Sequence, residues 1–220
     1  MQDIREAREQ LQATGAYMMA NDLAWGNAGN ISARTGPDRY LITAGGTYLG
    51  ELRDDELVEC SLTAGAVDPS GRRPSKELPM HSAVYGKRPD VRAVLHASPF
   101  YSTLIACTDL DVPSGWFVES MYYLERVERV PYAHPGSAEL GEAVREKAGK
   151  ANVLLLENHG VLVYDSSLKE ARMALHALET ACRMLIAANG AGLTPKELDG
   201  RTVSHFLSHS GYRPRRRWAE

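Results

Sequence analysis

The 220-residue sequence has only three cysteines, Cys60, Cys107 and Cys182, far apart and with no Cys-x-x-Cys pair. That excludes a disulfide framework and a thiolate metal site, and it fits a reducing compartment. No apolar run approaches the roughly 20 residues that a membrane-spanning helix requires. The N-terminal stretch MQDIREAREQ is too charged for a secretory signal, so a cytoplasmic location and an intracellular substrate are expected. Charge of one sign is also missing. The 25 Lys and Arg are balanced by 28 Asp and Glu, for a formal net charge of -3. Neither a basic face nor an aromatic platform is present, so nucleic acid is not an expected partner. Whole-surface attraction to a membrane is not expected either. No internal repeat, low-complexity tract or linker interrupts the chain.

What is present is an ordinary globular composition with 44% hydrophobic residues, enough for one sizeable core. A single domain over residues 1–220 is expected. Helical spacing predicts a first helix over 2–24, then a glycine- and asparagine-rich turn entering a short strand. Strands are predicted at 40–43, 57–62, 91–96, 127–132, 153–156 and in the run VLVY at 161–164. Ser75 reads as the N-cap of a helix over 76–87. Further helices are predicted at 99–107, 137–149 and 167–189. Thr194, followed by Pro195 and Glu197, reads as the cap of a last helix. Strands and helices interspersed in this way predict an α/β domain with helices packed on a sheet.

Polar residues at element ends are where chemistry tends to lie. Glu77 opens a predicted helix, where a carboxylate also simply suits the helix dipole. His96 ends a predicted strand, where a hydrogen-bonded core histidine is the plainer alternative. His159 stands in the turn ENHG between two apolar runs. Asn30 lies in a turn whose backbone N–H groups suit an anion, or which is only a turn. Two neutral imidazoles and a carboxylate are a common ligand set for zinc or another divalent ion. Sequence spacing alone does not bring the three together.

The segments GNAGNISAR, LITAGG, PSKELPMHSAVY, AVLHASP and LLLENHGVLV run in that order. Together they resemble the class II aldolase/adducin family, whose members include fuculose-phosphate aldolase and ribulose-phosphate 4-epimerase. The resemblance implies an α/β fold, a three-layer α/β/α sandwich around a largely antiparallel central sheet. It also implies a homotetramer with active sites at subunit interfaces. Metal ligands are implied at His96 and His159, with Glu77 as the acid/base and a further ligand. The second histidine of the family's H-x-H pair falls on Ser98, a weak neutral ligand. A phosphate cradle is implied at Asn30, Gly46, Ser75 and Lys76, with Gly45 where a threonine is often found. The aldolases' proton-donating tyrosine, which comes from the neighbouring subunit, falls near Phe117, with Tyr122 or Tyr123 as substitutes. A site-closing tyrosine falls near Tyr212.

The implied activity is that of a divalent-metal-dependent lyase, either an aldolase or a decarboxylase. It would act through an enediolate or enolate on a small, anionic sugar phosphate or hydroxy/oxo acid. Zinc is the first expectation, with manganese, cobalt or iron as the others. Decarboxylation needs no tyrosine as aldehyde proton donor, so it stands beside aldol cleavage. A non-haem Fe(II) oxygenase or an epimerase using the same Glu/His/His set is an alternative, and so is a non-catalytic adducin-like binding module. His81, one turn after Glu77, is expected on a helix surface or at an interface. His134 is expected in a loop, and it is the first replacement for the missing ligand. His205 and His209 form an i, i+4 pair expected at the surface. The basic cluster RPRRR at 213–217 is expected as a solvated tail, or as charge delivered to an anionic substrate.

Overall fold

A computed structural model describes residues 3–68, 71–213, 216 and 218. Among them are eight strands: β1 Asn30–Arg34, β2 Arg39–Thr43, β3 Leu57–Ser61, β4 Gly65–Ala66, β5 Ala93–Ala97, β6 Val127–Val130, β7 Val153–Leu156 and β8 Gly160–Asp165. The α-helices are α1 Ile4–Ala20, α2 Leu78–Lys87, α3 Phe100–Ala106, α4 Val118–Tyr123, α5 Ala138–Ala148, α6 Leu168–Gly190 and α7 Gly200–His209. The strands join in one sheet of order β4-β3-β2-β1-β5-β8-β7-β6. Every pairing is antiparallel except β6 with β7. No helix among the described residues is long and apolar enough to cross a membrane.

Side chains alternate across a strand, and here both faces of the sheet are covered. Ile31, Ala33, Leu95, Val161 and Val163 pack against α1, α3 and α6. Val94, Leu154, Leu162 and Tyr164 pack on the other side against α2 and α5. The result is the expected three-layer α/β/α arrangement. Helix α6 presents Leu168, Ala171, Leu175, Leu178, Cys182 and Leu185 on its buried stripe. Each fully buried leucine contributes about 1.5–3 kcal/mol. Ser167 starts this helix by accepting from the Glu170 N–H.

Alternation also decides what faces α2. Asn30 and His96 are directly paired across β1 and β5. They share a face with Ser32 and Val94, the side of the sheet on which α2 lies. This places polar residues of two central strands beneath the start of that helix.

Two helix starts differ from expectation. Helix α2 begins at Leu78 rather than 76, with Glu77 in the cap position. The Ser75 hydroxyl does accept a backbone N–H, but it is that of Glu77, at 3.2 Å. The last helix begins at Gly200, not after Thr194. The Asp199 carboxylate there accepts from the N–H groups of both Arg201 and Thr202, a stronger cap than a single threonine hydroxyl provides.

Candidate metal centre

Glu77, His96 and His159 come together. One ligand atom from each lies within 4.8 Å of the others. Glu77 arrives from the cap of α2, His96 from β5, and His159 from the turn between β7 and β8. The Glu77 carboxylate makes no capping bond to its own helix, so the dipole reading does not account for it. Oε2 instead accepts from Asn30 Nδ2 at 2.7 Å and lies 3.1 Å from His96 Nε2. Oε1 lies 2.9 Å from His159 Nε2, out of line for a hydrogen bond.

Two glycines let the backbones approach this closely. A Cβ on Gly29, which has φ +99°, would stand 2.7 Å from the His96 carbonyl oxygen. A Cβ on Gly160 would stand 2.6 Å from the Ala97 oxygen and 2.8 Å from Ser98 Oγ. Any side chain at either position would push the ligand strand and the ligand turn apart.

The donor chemistry fits a cation. The Val161 carbonyl can only accept, so His96 Nδ1 donates to it, at 3.0 Å. In the neutral ring this leaves a lone pair on Nε2, and that lone pair faces a carboxylate oxygen. Two acceptors do not face each other at 3.1 Å without a proton or a cation between them. Glu77 Oε1 and His159 Nδ1 are also buried without a hydrogen-bond partner. Ligands bound to zinc at about 2.0–2.2 Å in a tetrahedron stand roughly 3.3 Å apart, close to the two separations between Glu77 and the imidazoles. Burial alone would raise the Glu77 carboxyl. The imidazoles of His159 and His96 beside it and the hydrogen bond from Asn30 outweigh that and hold the group well below the usual carboxylate range.

Ser98 stands at the edge of the cluster. Its hydroxyl donates to the His159 carbonyl at 3.3 Å, bracing the ligand turn instead of offering itself as the missing third imidazole. Among the described residues no other His, Cys, Asp or Glu joins the group. His134 is exposed in the loop before α5, so it does not replace the missing ligand. A Ser98→His variant is expected to bind zinc more tightly than the parent in competition with a chromogenic chelator. Equal affinity would show that position 98 does not reach the cation.

The residues expected as an anion cradle adjoin the cluster. Ala44 bridges Pro74, and Ser75 N donates to the Thr43 carbonyl at 3.0 Å, which sets the Gly45–Gly46 turn beside Ser75 and Lys76. Gly46 faces open space, and Lys76 is exposed. The loop before α5 packs on Lys76, because a Cβ at Gly136 would come within 2.8 Å of its carbonyl oxygen. The side chain of Asn30 is already committed to Glu77 and His81. It is therefore not free to hold an anion.

Several other residues singled out in the sequence lie away from the cluster within one chain. Tyr122, Tyr123 and Tyr212 are not brought to the cluster within one chain. Their rings associate with one another, and Arg216 lies over Tyr122. Arg216 also pairs with Asp165 at 2.6 Å. Asp165 ends β8, whereas His159 immediately precedes it, so six extended residues, roughly 20 Å, separate the two ends. Phe117, at the cap of α4, packs partly buried on the α6 side of the sheet. Arg216 is neither solvated nor near the cradle, because its side chain is 3% exposed. Pro214, Arg215 and Arg217 of the same basic cluster lie outside the described residues. His205 and His209 do sit on an exposed helix face, with their rings stacked at 4.3 Å.

The departure that bears most on the site is His81. It is fully buried, not on the surface, and its nitrogens contact Asn30 and Ser32. Helix α2 is covered by the sheet on one side and α5 on another, which buries the face that carries His81.

With this geometry established, similarity to known proteins is informative. The family model described as the class II aldolase and adducin N-terminal domain matches residues 9–186. A 3-oxo-tetronate 4-phosphate decarboxylase of Pectobacterium atrosepticum is 32% identical over 185 residues, which cover 82% of this chain and 84% of that one. An L-fuculose phosphate aldolase of Methanocaldococcus jannaschii is 28% identical over 165 residues, 73% of this chain and 85% of the other. The crystal structure of YgbL from Klebsiella pneumoniae superimposes with a TM-score of 0.84 at 30% identity, covering 93% of this chain and 99% of that one.

Proposed function

The chain belongs to the class II aldolase and adducin family, and we propose that it is a divalent-metal-dependent lyase acting on a phosphorylated 3-oxo sugar acid. The observation that carries this reading is the Glu77, His96 and His159 cluster beside an open glycine turn and an exposed lysine. Zinc is the proposed metal, because two imidazoles and one carboxylate that leave a position open are a catalytic zinc set. When bound, the cation supplies Lewis-acid stabilisation for an oxygen that gains negative charge.

Decarboxylation is favoured over aldol cleavage for a specific reason. Aldol cleavage needs a proton donor at the aldehyde oxygen, and Phe117 has no hydroxyl to give. Loss of CO2 from a 3-oxo acid needs none. The bond from C2 to the carboxyl carbon breaks, its electron pair passes toward the 3-oxo oxygen, and C2 then takes a proton. Glu77, on the face where the substrate would lie, is the group placed to take a proton from water and pass it to C2. The ammonium of Lys76, with the backbone of Gly46 and Ser75 at a helix N-terminus, would take the phosphate. Within this proposal the chain works as one cytoplasmic domain in a homotetramer, and light scattering would read four chains. The exposed aromatics Trp25 and Phe100, 62% and 70% accessible beside the ligand strand, support an interface there.

The test is to incubate zinc-loaded protein with 3-oxo-tetronate 4-phosphate and to measure CO2 and the three-carbon ketose phosphate that must accompany it. Absence of both, with zinc, manganese and cobalt each supplied in turn, would sink the reading. Release of an aldehyde instead would make the protein an aldolase. Lys76→Ala is expected to raise KM for the phosphorylated substrate about tenfold or more, the worth of one charge-assisted hydrogen bond, with kcat nearly unchanged. An unaltered KM would remove Lys76 from the cradle.

A further inference from the structure

We infer that His81 is a positioning residue for the metal centre: a chain of hydrogen bonds with a single proton order, running from Tyr85 through Ser32, His81 and Asn30, holds the Glu77 carboxylate in place. The contacts are continuous. Tyr85 OH lies 2.9 Å from Ser32 Oγ, and Ser32 Oγ lies 2.7 Å from His81 Nδ1. His81 Nε2 lies 2.6 Å from Asn30 Oδ1, and Asn30 Nδ2 lies 2.7 Å from Glu77 Oε2. Ser32, His81 and Tyr85 are all at most 2% exposed, so water does not complete the chain.

The charge on Glu77 fixes the order. A carboxylate only accepts, so Asn30 must turn its NH2 toward it. The Asn30 carbonyl then faces His81, so His81 Nε2 must carry the hydrogen. A neutral ring has only one N–H, so Nδ1 accepts from the Ser32 hydroxyl. Ser32 has then spent its only hydrogen, so Tyr85 donates to it. Burial agrees at both ends. It pushes the His81 imidazole down to about 3, which keeps the ring neutral, and it pushes the Tyr85 phenol up, which keeps its hydrogen.

Reversing the Asn30 amide would set two acceptor oxygens 2.7 Å apart. The Nε2–H of His81 opposes the reversal from the other side, because it would then face the amide NH2. Without it, the buried Asn30 carbonyl has no donor and the amide is no longer held from both ends, so Glu77 is held less firmly. Partners that orient a metal ligand in this way typically govern 10–100-fold in metal affinity. The inference rests on Glu77 acting as a metal ligand, as proposed above.

Two measurements test it. Long-range nitrogen–proton NMR correlation on the unmodified, metal-free protein at neutral pH should show His81 as the Nε2–H tautomer. An Nδ1–H tautomer or a cationic ring would overturn the proton order. Zinc affinity, read by competition with a chromogenic chelator, should fall about 10–100-fold in His81→Leu. It should recover to within a few-fold of the parent in His81→Gln, whose amide can still donate to Asn30. A folded His81→Leu protein that binds zinc as tightly as the parent would overturn the positioning role. If that variant does not fold, a loss of affinity in His81→Gln as well would do so. If the unmodified protein binds no zinc, the metal reading fails, and the NMR measurement still decides the proton order.

Discussion

Glu77→Gln should give a folded protein that turns over roughly 10³-fold more slowly, the middle of the range for losing a positioned acid–base group. The substitution keeps the length and shape of the side chain. Its carbonyl can still accept from Asn30, so the local fold has little reason to move. It removes the negative charge that lies 2.9 Å from one imidazole and 3.1 Å from the other. It also places an NH2 group where a lone pair faced the ligand site. Zinc should bind more weakly as well, and the two effects can be separated. At a zinc concentration that saturates the variant, single-turnover release of CO2 reports chemistry alone. Recovery of full rate at saturating zinc would reduce Glu77 to a ligand with no part in proton transfer.

His159→Ala is expected to have the largest effect on metal retention. The outer partners of a metal ligand typically govern 10–100-fold in affinity, and removing a ligand itself should cost more than about 100-fold on that scale. The fold should survive, because the His159 side chain faces Glu77 and the edge of the His96 ring, whose centroid is 4.7 Å away, and makes no hydrogen bond that holds the turn. The turn that carries it is held by backbone: His159 N donates to the Leu156 carbonyl, and Ser98 braces the His159 carbonyl. The expected protein therefore melts like the parent in its metal-free form and passes through gel filtration without metal. Retention of a full equivalent would mean that His159 is not a ligand.

These expectations use residues that the sequence already pointed to. The three ligand positions were readable because each sits at an element end that a short motif marks. The layered fold was readable because the apolar runs at 153–156 and 161–164 and the long stripe of α6 have distinct periods. His81 was not readable as a buried residue. A helix lying on a sheet with a second helix against it buries more than one stripe, and hydrophobic periodicity does not say which polar residue is carried inside. The signal was present in another form. Glu77, His81 and Tyr85 are spaced four apart along one line of α2, while Asn30 and Ser32 are two apart on one face of β1. The two rows meet.

Metal content of protein purified without chelators tests the central claim most directly, namely that Glu77, His96 and His159 hold a divalent cation. One equivalent per chain, displaced by a strong chelator and absent from His159→Ala, is the expected result. A folded, unmodified protein that holds no metal after dialysis against zinc, manganese and cobalt would contradict it.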